Sequence, residues 1–204
     1  MAALLLAGCV NPTVPERGGT YEFRLDGQVF HWPRAHLPVR YWVQPGSALP
    51  AFVETALERW EAQFLYGEFR GVLTDDSTTA DVLVRLLGDP PPPANPTGMV
   101  PPVGACEQAA THVPNWDAEG RLPLPLRVTL SWRPGVEPAI IADCLLLLVS
   151  HELGHTLGVF AESDGDDDLM NTNPRTFLPS PRDRATVQVL YQTMPTLLPV
   201  EPIP

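Results

Sequence analysis

Polar and apolar positions alternate with the period of a β-strand in several short stretches of the chain. The clearest is LPVRYWVQP, in which Val39, Tyr41 and Val43 fall on one face. Similar patterns predict strands in FRGVLTDD, in ADVLVRLLGD, in LPLRVTLSW and at residues 109–113. Before them, YEFRLDGQVFHWP alternates about the DG dipeptide at 26–27, which is typical of a tight hairpin turn. The pattern therefore predicts a short hairpin and a sheet of four to five strands.

Three further stretches predict helices. Residues 49–65 carry an apolar stripe at helical spacing, and SPRDRATVQVLYQT predicts a final helix. Between them, a helix that starts at Pro138 is apolar nearly all round. Asp143 interrupts its apolar run, which is well short of the roughly 20 residues that span a bilayer. We therefore expect a buried central helix, and Gly158 allows the left-handed residue that ends it.

The rest of the chain sets the domain limits. Proline-rich residues 89–102 predict an exposed loop, and residues 195–204 predict a proline-rich tail. At 204 residues the chain can bury one good core, and we place a single domain at residues 21–194. The formal net charge of -11 argues against nucleic acid and anionic membrane surfaces as partners.

The N-terminal residues predict export. Residues 1–9 contain a short apolar run followed by LAGC, which is similar to the lipobox of a bacterial lipoprotein signal. In such a signal Cys9 is lipidated, and the polar residues 10–20 would then form a tether. The usual basic start is missing, so an accidental likeness is the alternative. On the first interpretation the protein is extracellular or lipid-anchored in the cell envelope, and a lipidated Cys9 is its only membrane attachment.

Two cysteines remain after Cys9. In an exported protein Cys106 and Cys144 most simply form one disulfide, which would tie the middle of the chain to the central helix. Two buried thiols are the alternative. Neither cysteine has the spacing of a zinc ligand pair, so we assign them no metal.

The central helix carries the sequence HELGH at residues 151–155. Residues four apart stack on one helix face, so His151 and His155 can direct two imidazole nitrogens to one point, as a tetrahedral Zn(II) site requires. Glu152 then lies beside the open metal position, where a carboxylate can act as a general base. The alternative is a buried helix that happens to carry two histidines. Two imidazoles and a carboxylate in so apolar a run are hard to satisfy without a shared partner.

The order of these elements and the HELGH sequence resemble the metzincin zinc metalloproteases, and among them the matrixin-like, small bacterial secreted forms. The resemblance covers most of residues 38–193 and is carried by RYWV, ALERW, ADVLVRL, HELGHTLG, DDLMN and RDRATVQVLY. It implies an α+β fold with a twisted mixed sheet of four to five strands and a backing helix. It also implies a central zinc-binding helix and a C-terminal helix after a turn that contains a methionine.

The third metal ligand departs from the family pattern. Counted strictly, the third histidine of that family falls at Ala161, which cannot bind metal. A turn one residue longer, as in some bacterial relatives, places the ligand at Glu162. The serine at 163 and the spacing to Met170 support this register. Asp164 is the second choice, and His112 is a third candidate if Glu162 does not reach the metal. Two histidines and a glutamate are an established zinc set in other hydrolases.

The resemblance assigns roles to residues after the ligands. Met170 would pack beneath the metal site without binding the metal. Asn173, Pro174 and Arg175 would line the wall of the pocket for the substrate residue that follows the cut, and Arg175 is equally well a surface residue. The acidic run DGDDD at 164–168 has two interpretations: a Ca(II) site or a solvated turn.

The function implied by the resemblance is a zinc-dependent endopeptidase that hydrolyses peptide bonds, with Glu152 as the general base. Its substrate would be an extended polypeptide that pairs with the edge of the sheet. We expect a monomer with Zn(II) as its cofactor. The alternative, which the glutamate ligand raises, is a metzincin-fold binding protein of the cell envelope with little or no activity.

Overall fold

The computed structural model describes residues 19–200. The predicted signal at residues 1–9, Cys9 and nearly all of the predicted tether lie outside the described residues, as do residues 201–204. The elements follow the predicted order. In chain order they are β1 (Val39–Val43), α1 (Leu49–Glu61), β2 (Gly71–Thr74), β3 (Val82–Leu86), β4 (Ala109–His112), β5 (Arg121–Pro123), β6 (Leu126–Leu130), α2 (Pro138–Thr156), α3 (Pro181–Gln192) and β7 (Leu198–Val200).

The central sheet is mixed and has five strands in the order β2-β1-β3-β6-β4. The four strands from β2 to β6 are parallel, and β4 pairs antiparallel with β6. β4 is therefore an edge strand, and its outer edge has no neighbour among the described strands. Val39, Tyr41 and Val43 are buried on one face, which confirms the alternation in β1. A five-stranded mixed sheet with three helices matches the predicted α+β composition.

The predicted hairpin is present as a minimal one. The backbone groups of Leu25 and Gln28 exchange two hydrogen bonds, of 3.2 and 2.8 Å, across a turn at Asp26 and Gly27. Both turn residues have positive φ, of 50° and 76°, as this kind of two-residue turn requires. Phe160, which follows the central helix, donates its N–H to the carbonyl of Phe23, so the hairpin is attached beside the end of α2.

α2 is the buried core helix. By length and composition it could cross a membrane, but 78% of its apolar window is buried within this fold. It packs against α1, β4 and β6. Two indole N–H groups from other parts of the chain donate hydrogen bonds to its backbone carbonyls. Trp60 donates to the Ser150 carbonyl and Trp32 to the Thr156 carbonyl, each at 2.8 Å. These bonds satisfy polar groups in an otherwise apolar core.

Two parts of the fold differ from the prediction. α1 ends at Glu61 and not near residue 65. The N–H groups of Gln63 and Phe64 bond to carbonyls three residues earlier, which closes the helix in a tight turn, and Leu65 is 78% exposed.

The predicted proline-rich tail contains the strand β7, which pairs with β5 in a separate two-stranded sheet. Leu197 is fully buried and donates its N–H to the Val29 carbonyl. The residues after 195 are thus held by backbone pairing in spite of their prolines.

Cys106 and Cys144 form a disulfide, which is the first of the two alternatives for these cysteines. The bond joins the end of the proline-rich loop to the first half of α2. The residue beside Cys144 anchors the same loop: the Asp143 carboxylate accepts hydrogen bonds from the Thr97 hydroxyl at 2.6 Å and the Gly98 N–H at 2.9 Å. The loop that leads to β4 is therefore attached to α2 at two adjacent positions.

Asp81, at the start of β3, is a buried carboxylate that joins three segments. It accepts bonds from the Arg40 backbone and guanidinium and lies 3.0 Å from His36 Nε2. Burial opposes its ionisation, but these hydrogen bonds and charges hold the pKa of Asp81 below its ordinary value. A depressed carboxyl pKa stabilises the fold above the pKa of the unfolded chain, and this contribution is lost as the pH falls through the folded-state pKa.

We therefore expect Asp81→Asn to lower the free energy of unfolding at pH 7 by about 2 kcal/mol, because Arg40 loses a charged acceptor. The difference between wild type and variant should shrink as the pH is lowered through and below about 4. Urea denaturation of both proteins between pH 7 and pH 3 measures it. A difference that stays constant over this range would show that the charge of Asp81 contributes nothing.

Candidate metal centre

The last turns of α2 bring two imidazole rings together. His151 and His155 are four residues apart on the helix, and their Nε2 atoms are 3.2 Å apart. The rings lie edge to face, with centroids 4.8 Å apart. The spacing predicted from the sequence is thus realised, with both nitrogens directed toward a common point.

A backbone carbonyl holds each ring at Nδ1, the nitrogen that does not point at the other imidazole. His151 Nδ1 lies 2.8 Å from the Leu169 carbonyl oxygen, and His155 Nδ1 lies 2.6 Å from that of Val159. A carbonyl only accepts, so each Nδ1 carries the proton, and in the neutral rings each Nε2 presents a lone pair. Metal-binding histidines are oriented in this way. Two lone pairs that face each other at 3.2 Å repel unless a proton or a metal ion lies between them.

Glu162 completes a triangle of ligand atoms. Its Oε1 lies 3.5 Å from His151 Nε2 and 3.4 Å from His155 Nε2. In a tetrahedral zinc site with bonds of about 2.0–2.1 Å, neighbouring ligand atoms lie about 3.3–3.4 Å apart. The three measured separations fit that geometry. Among the described residues, this is the one group of three or more His, Cys, Asp or Glu side chains that could hold a metal ion.

The charges within the triangle favour a cation. Burial raises the pKa of Glu162, but the hydrogen bonds and charges of His151 and His155 outweigh it and lower this pKa to about 2. Burial lowers the pKa of His151, yet Glu162, Glu152 and the Leu169 carbonyl outweigh it and raise this pKa above its ordinary value. The Glu162 carboxylate is therefore ionised at neutral pH. The set therefore presents one anionic oxygen and two imidazole nitrogens to a common point, a combination of ligands that zinc binds.

Glu152 lies beside the triangle, with only 4% of its surface exposed. Its Oε2 accepts a hydrogen bond of 2.7 Å from the hydroxyl of Thr111 on β4. Thr111 is not among the residues predicted for the site, since nothing in the local pattern indicates a contact between residues 41 positions apart. One oxygen of this buried carboxylate is therefore held by β4.

Met170 packs against α2 at Gly154, and its place beneath a bound metal stays a prediction. It is fully buried, and its sulfur lies so close to Gly154 that a Cβ added at Gly154 would overlap it. The same added atom would lie 2.7 Å from the Trp60 ring. Gly154 lies between His151 and His155 on the helix, so its missing side chain lets Met170 and Trp60 pack closely against α2 there.

The turn before Met170 is held by a buried carboxylate on α3. Asp183 accepts the N–H of Leu169 at 2.8 Å, the N–H of Ser180 at 2.7 Å and the hydroxyl of Tyr21 at 2.5 Å. Its bond to Ser180 forms half of a capping box, which the sequence SPRD indicates. The bond to Leu169 is not readable from the sequence. It fixes the residue whose carbonyl orients His151.

A cleft of about 390 Å³ opens onto the triangle. His112 lines the cleft but does not belong to the ligand triangle, because Glu162 fills the third position. The predicted wall residues Asn173, Pro174 and Arg175 are not among the residues that line it. The lining residues are Leu25, Ala109, Ala110, Thr111, His112, Val113, Glu152, His155, Phe160 and Glu162.

The acidic run after the ligands is partly neutralised by Arg182. Asp164, the second choice for the third ligand, is exposed and pairs with Arg182 at 2.7 Å. Asp168 is buried, lies 3.3 Å from the same guanidinium and accepts the Ser163 and Ser180 hydroxyls. These bonds give the run a role in holding the turn between Glu162 and Met170. Ca(II) binding by this run stays a prediction.

Comparisons with known proteins find likeness among solved structures. No protein-family model and no curated protein matches the chain. Among solved structures it is similar to high choriolytic enzyme 1, a hatching enzyme zinc-protease from Oryzias latipes (medaka fish). The identity is 12% and the TM-score is 0.40, over 86% of this chain and 100% of that one. At this level a likeness carries no argument about function, which rests on the geometry described above.

Proposed function

We propose that the protein is a zinc-dependent endopeptidase of the kind that its resemblance to matrixin-like metzincins implies. One observation carries the proposal. Three ligand atoms lie 3.2–3.5 Å apart at the mouth of a cleft, and a buried glutamate is the next residue along the helix from one of them. A buried histidine pair that served only packing would not need an ionised carboxylate facing both Nε2 atoms.

His151, His155 and Glu162 would hold the metal as three protein ligands, which leaves a fourth tetrahedral position for water or substrate. A bound Zn(II) polarises a carbonyl oxygen and lowers the pKa of water toward neutrality. The anionic Glu162 makes the metal a weaker Lewis acid than a third histidine would. The backbone carbonyls of Leu169 and Val159 keep both imidazoles in the tautomer that binds metal.

Glu152 performs the proton transfers. Its carboxylate takes a proton from the attacking water and later delivers it to the amide nitrogen that leaves. Burial of Glu152 excludes bulk water from one side of the carboxylate, and Thr111 keeps one of its oxygens fixed. Met170 and Gly154 have no part in the proton transfer and support the floor of the site.

The substrate would be an extended polypeptide. β4 is an edge strand and its residues line the cleft, so a peptide can add to the sheet as a further strand beside the metal position. Ala109 and Ala110 have small side chains, which leave the main chain of β4 accessible. We assign no side-chain preference to Arg175, which does not line the cleft.

Export is part of the proposal, and the Cys106–Cys144 disulfide supports it, because such bonds persist in oxidising compartments. Membrane attachment would require lipidation of Cys9. We propose a monomer, since the site is complete within one chain. A metal-binding protein without turnover is the alternative that the following experiment separates from the enzyme.

Removal of the metal tests the function directly. Zinc-loaded protein is expected to cleave an unfolded protein substrate, to lose this activity on dialysis against a chelator and to regain it when zinc is restored. Zinc content should be one ion per chain. His155→Ala should abolish stoichiometric zinc binding, whereas His112→Ala, which changes a histidine of the same cleft outside the triangle, should retain it. Stoichiometric zinc without any cleavage would favour the binding protein.

A further inference from the structure

β4 carries a side chain that reaches the proposed general base. Thr111 Oγ1 lies 2.7 Å from Glu152 Oε2 and 3.1 Å from the backbone carbonyl oxygen of Glu152. A hydroxyl has a single proton to donate. The carboxylate oxygen is the nearer acceptor, so the proton is directed to Oε2.

This contact restricts Glu152 more than packing alone would. A glutamate has three side-chain torsions, and the helix fixes only the direction of the first. Thr111 is β-branched, so its own χ1 is restricted on the strand. A stiff donor thus holds one oxygen of a carboxylate whose residue lines the cleft.

The strand that carries Thr111 is itself attached to α2. The disulfide ties Cys106, three residues before β4, to Cys144, eight residues before Glu152. On a helix that interval is about 12 Å. β4 is therefore fixed to α2 at two separate points, one covalent and one through the hydrogen bond to the carboxylate. The distance between Thr111 and Glu152 does not depend on the pairing of β4 with β6 alone.

We infer that Thr111 is a positioning residue for Glu152, an inference that rests on the proposed peptidase function. The same strand presents the free edge on which an extended substrate would pair. A substrate that adds to β4 therefore pairs with the element that orients the base. Thr111 couples the position of the scissile bond to the position of the carboxylate that transfers its protons.

Three substitutions test the role in the zinc-loaded enzyme. Thr111→Val keeps the shape and removes the donor, and it should lower kcat about tenfold to a hundredfold, the worth of a hydrogen bond to a charged group, with KM within about twofold. Thr111→Ser restores the donor and should recover most of kcat. Thr129→Val is the matched control on the neighbouring strand β6, where the hydroxyl donates to the Ala110 carbonyl at 3.4 Å. It should leave kcat unchanged.

A second measurement needs no metal and no activity. In zinc-free protein, Thr111→Val and Glu152→Ala should each accelerate amide hydrogen exchange in residues 109–112 about tenfold, the double variant no further, and Thr129→Val not at all. Unchanged exchange in Thr111→Val, or a kcat equal to that of wild type, overturns the inference. If wild type cleaves nothing under any zinc condition, the proposed function fails, even where the exchange data establish the contact.

Discussion

Glu152→Gln is expected to lower kcat for peptide hydrolysis by about 10²–10⁴-fold while the protein still binds one zinc ion per chain. The amide has the size and shape of the carboxylate but takes up no proton. Its oxygen still accepts the bond from Thr111, so the position of the side chain is kept. The three ligand atoms belong to other residues and are unchanged. The loss should appear in kcat, because the substrate contacts along β4 are retained.

Steady-state kinetics on a fluorogenic peptide, with zinc content measured on the same samples, provide the test. Glu54→Gln, the same change at an exposed position of α1, serves as the matched control and should have wild-type kinetics. A Glu152→Gln protein with full zinc and undiminished kcat would remove Glu152 from the chemistry. A variant that loses its zinc would instead show that Glu152 takes part in metal binding.

Gly158→Ala is expected to lower the free energy of unfolding by about 3–5 kcal/mol. Gly158 has φ of +107°, and a Cβ built there would overlap the Phe30 carbonyl oxygen and lie 2.9 Å from its carbon. Both obstacles are backbone atoms, which no side-chain rotation relieves. The residue that follows, Val159, provides the carbonyl that holds His155. Displacement of this turn should also weaken zinc binding about 10–100-fold.

Urea denaturation and zinc titration of Gly158→Ala measure both effects. Gly135→Ala is the matched control, since Gly135 also has positive φ, of +84°, but has no atom within 4 Å of an added Cβ. It should lose only about 1 kcal/mol, the cost of a left-handed backbone for alanine. An equal decrease in the free energy of unfolding in the two variants would show that the close approach to Phe30 does not destabilise the alanine variant. Unchanged zinc affinity in Gly158→Ala would show that the position of this turn does not affect metal binding.

Local periodicity was sufficient for most of the fold. Strand β1 and helix α1 expose and bury residues at the period that their sequences show. α2 was recognisable because it is apolar on all faces. Its length and composition would also suit a membrane span, and its burial within the fold identifies it as a core helix. The strands β5 and β7 escaped prediction because each has three residues and contains a proline. Their pairing depends on a contact between distant parts of the chain that no local pattern encodes.

The candidate site, like the fold, could be predicted from the sequence only where local geometry decides it. His151 and His155 are readable from the sequence because helix geometry alone brings residues four apart together. Glu162 lies beyond the helix in a turn, and its assignment needed a choice of register that periodicity does not supply. Thr111 and Asp183 were missed because each acts across a long sequence separation, on Glu152 and on Leu169 respectively. Residues that hold the site in place through contacts with distant parts of the chain are therefore not indicated by local sequence patterns.

The central claim is that one Zn(II) ion is bound by two imidazoles and the Glu162 carboxylate. X-ray absorption spectroscopy of the zinc-loaded protein at equimolar zinc measures this coordination directly. We predict two imidazole nitrogens and a carboxylate oxygen at about 2.0–2.1 Å, with the oxygen ligand changed in Glu162→Ala and the imidazole scattering retained. A spectrum with a single imidazole, or one that Glu162→Ala leaves unaltered, would contradict the account.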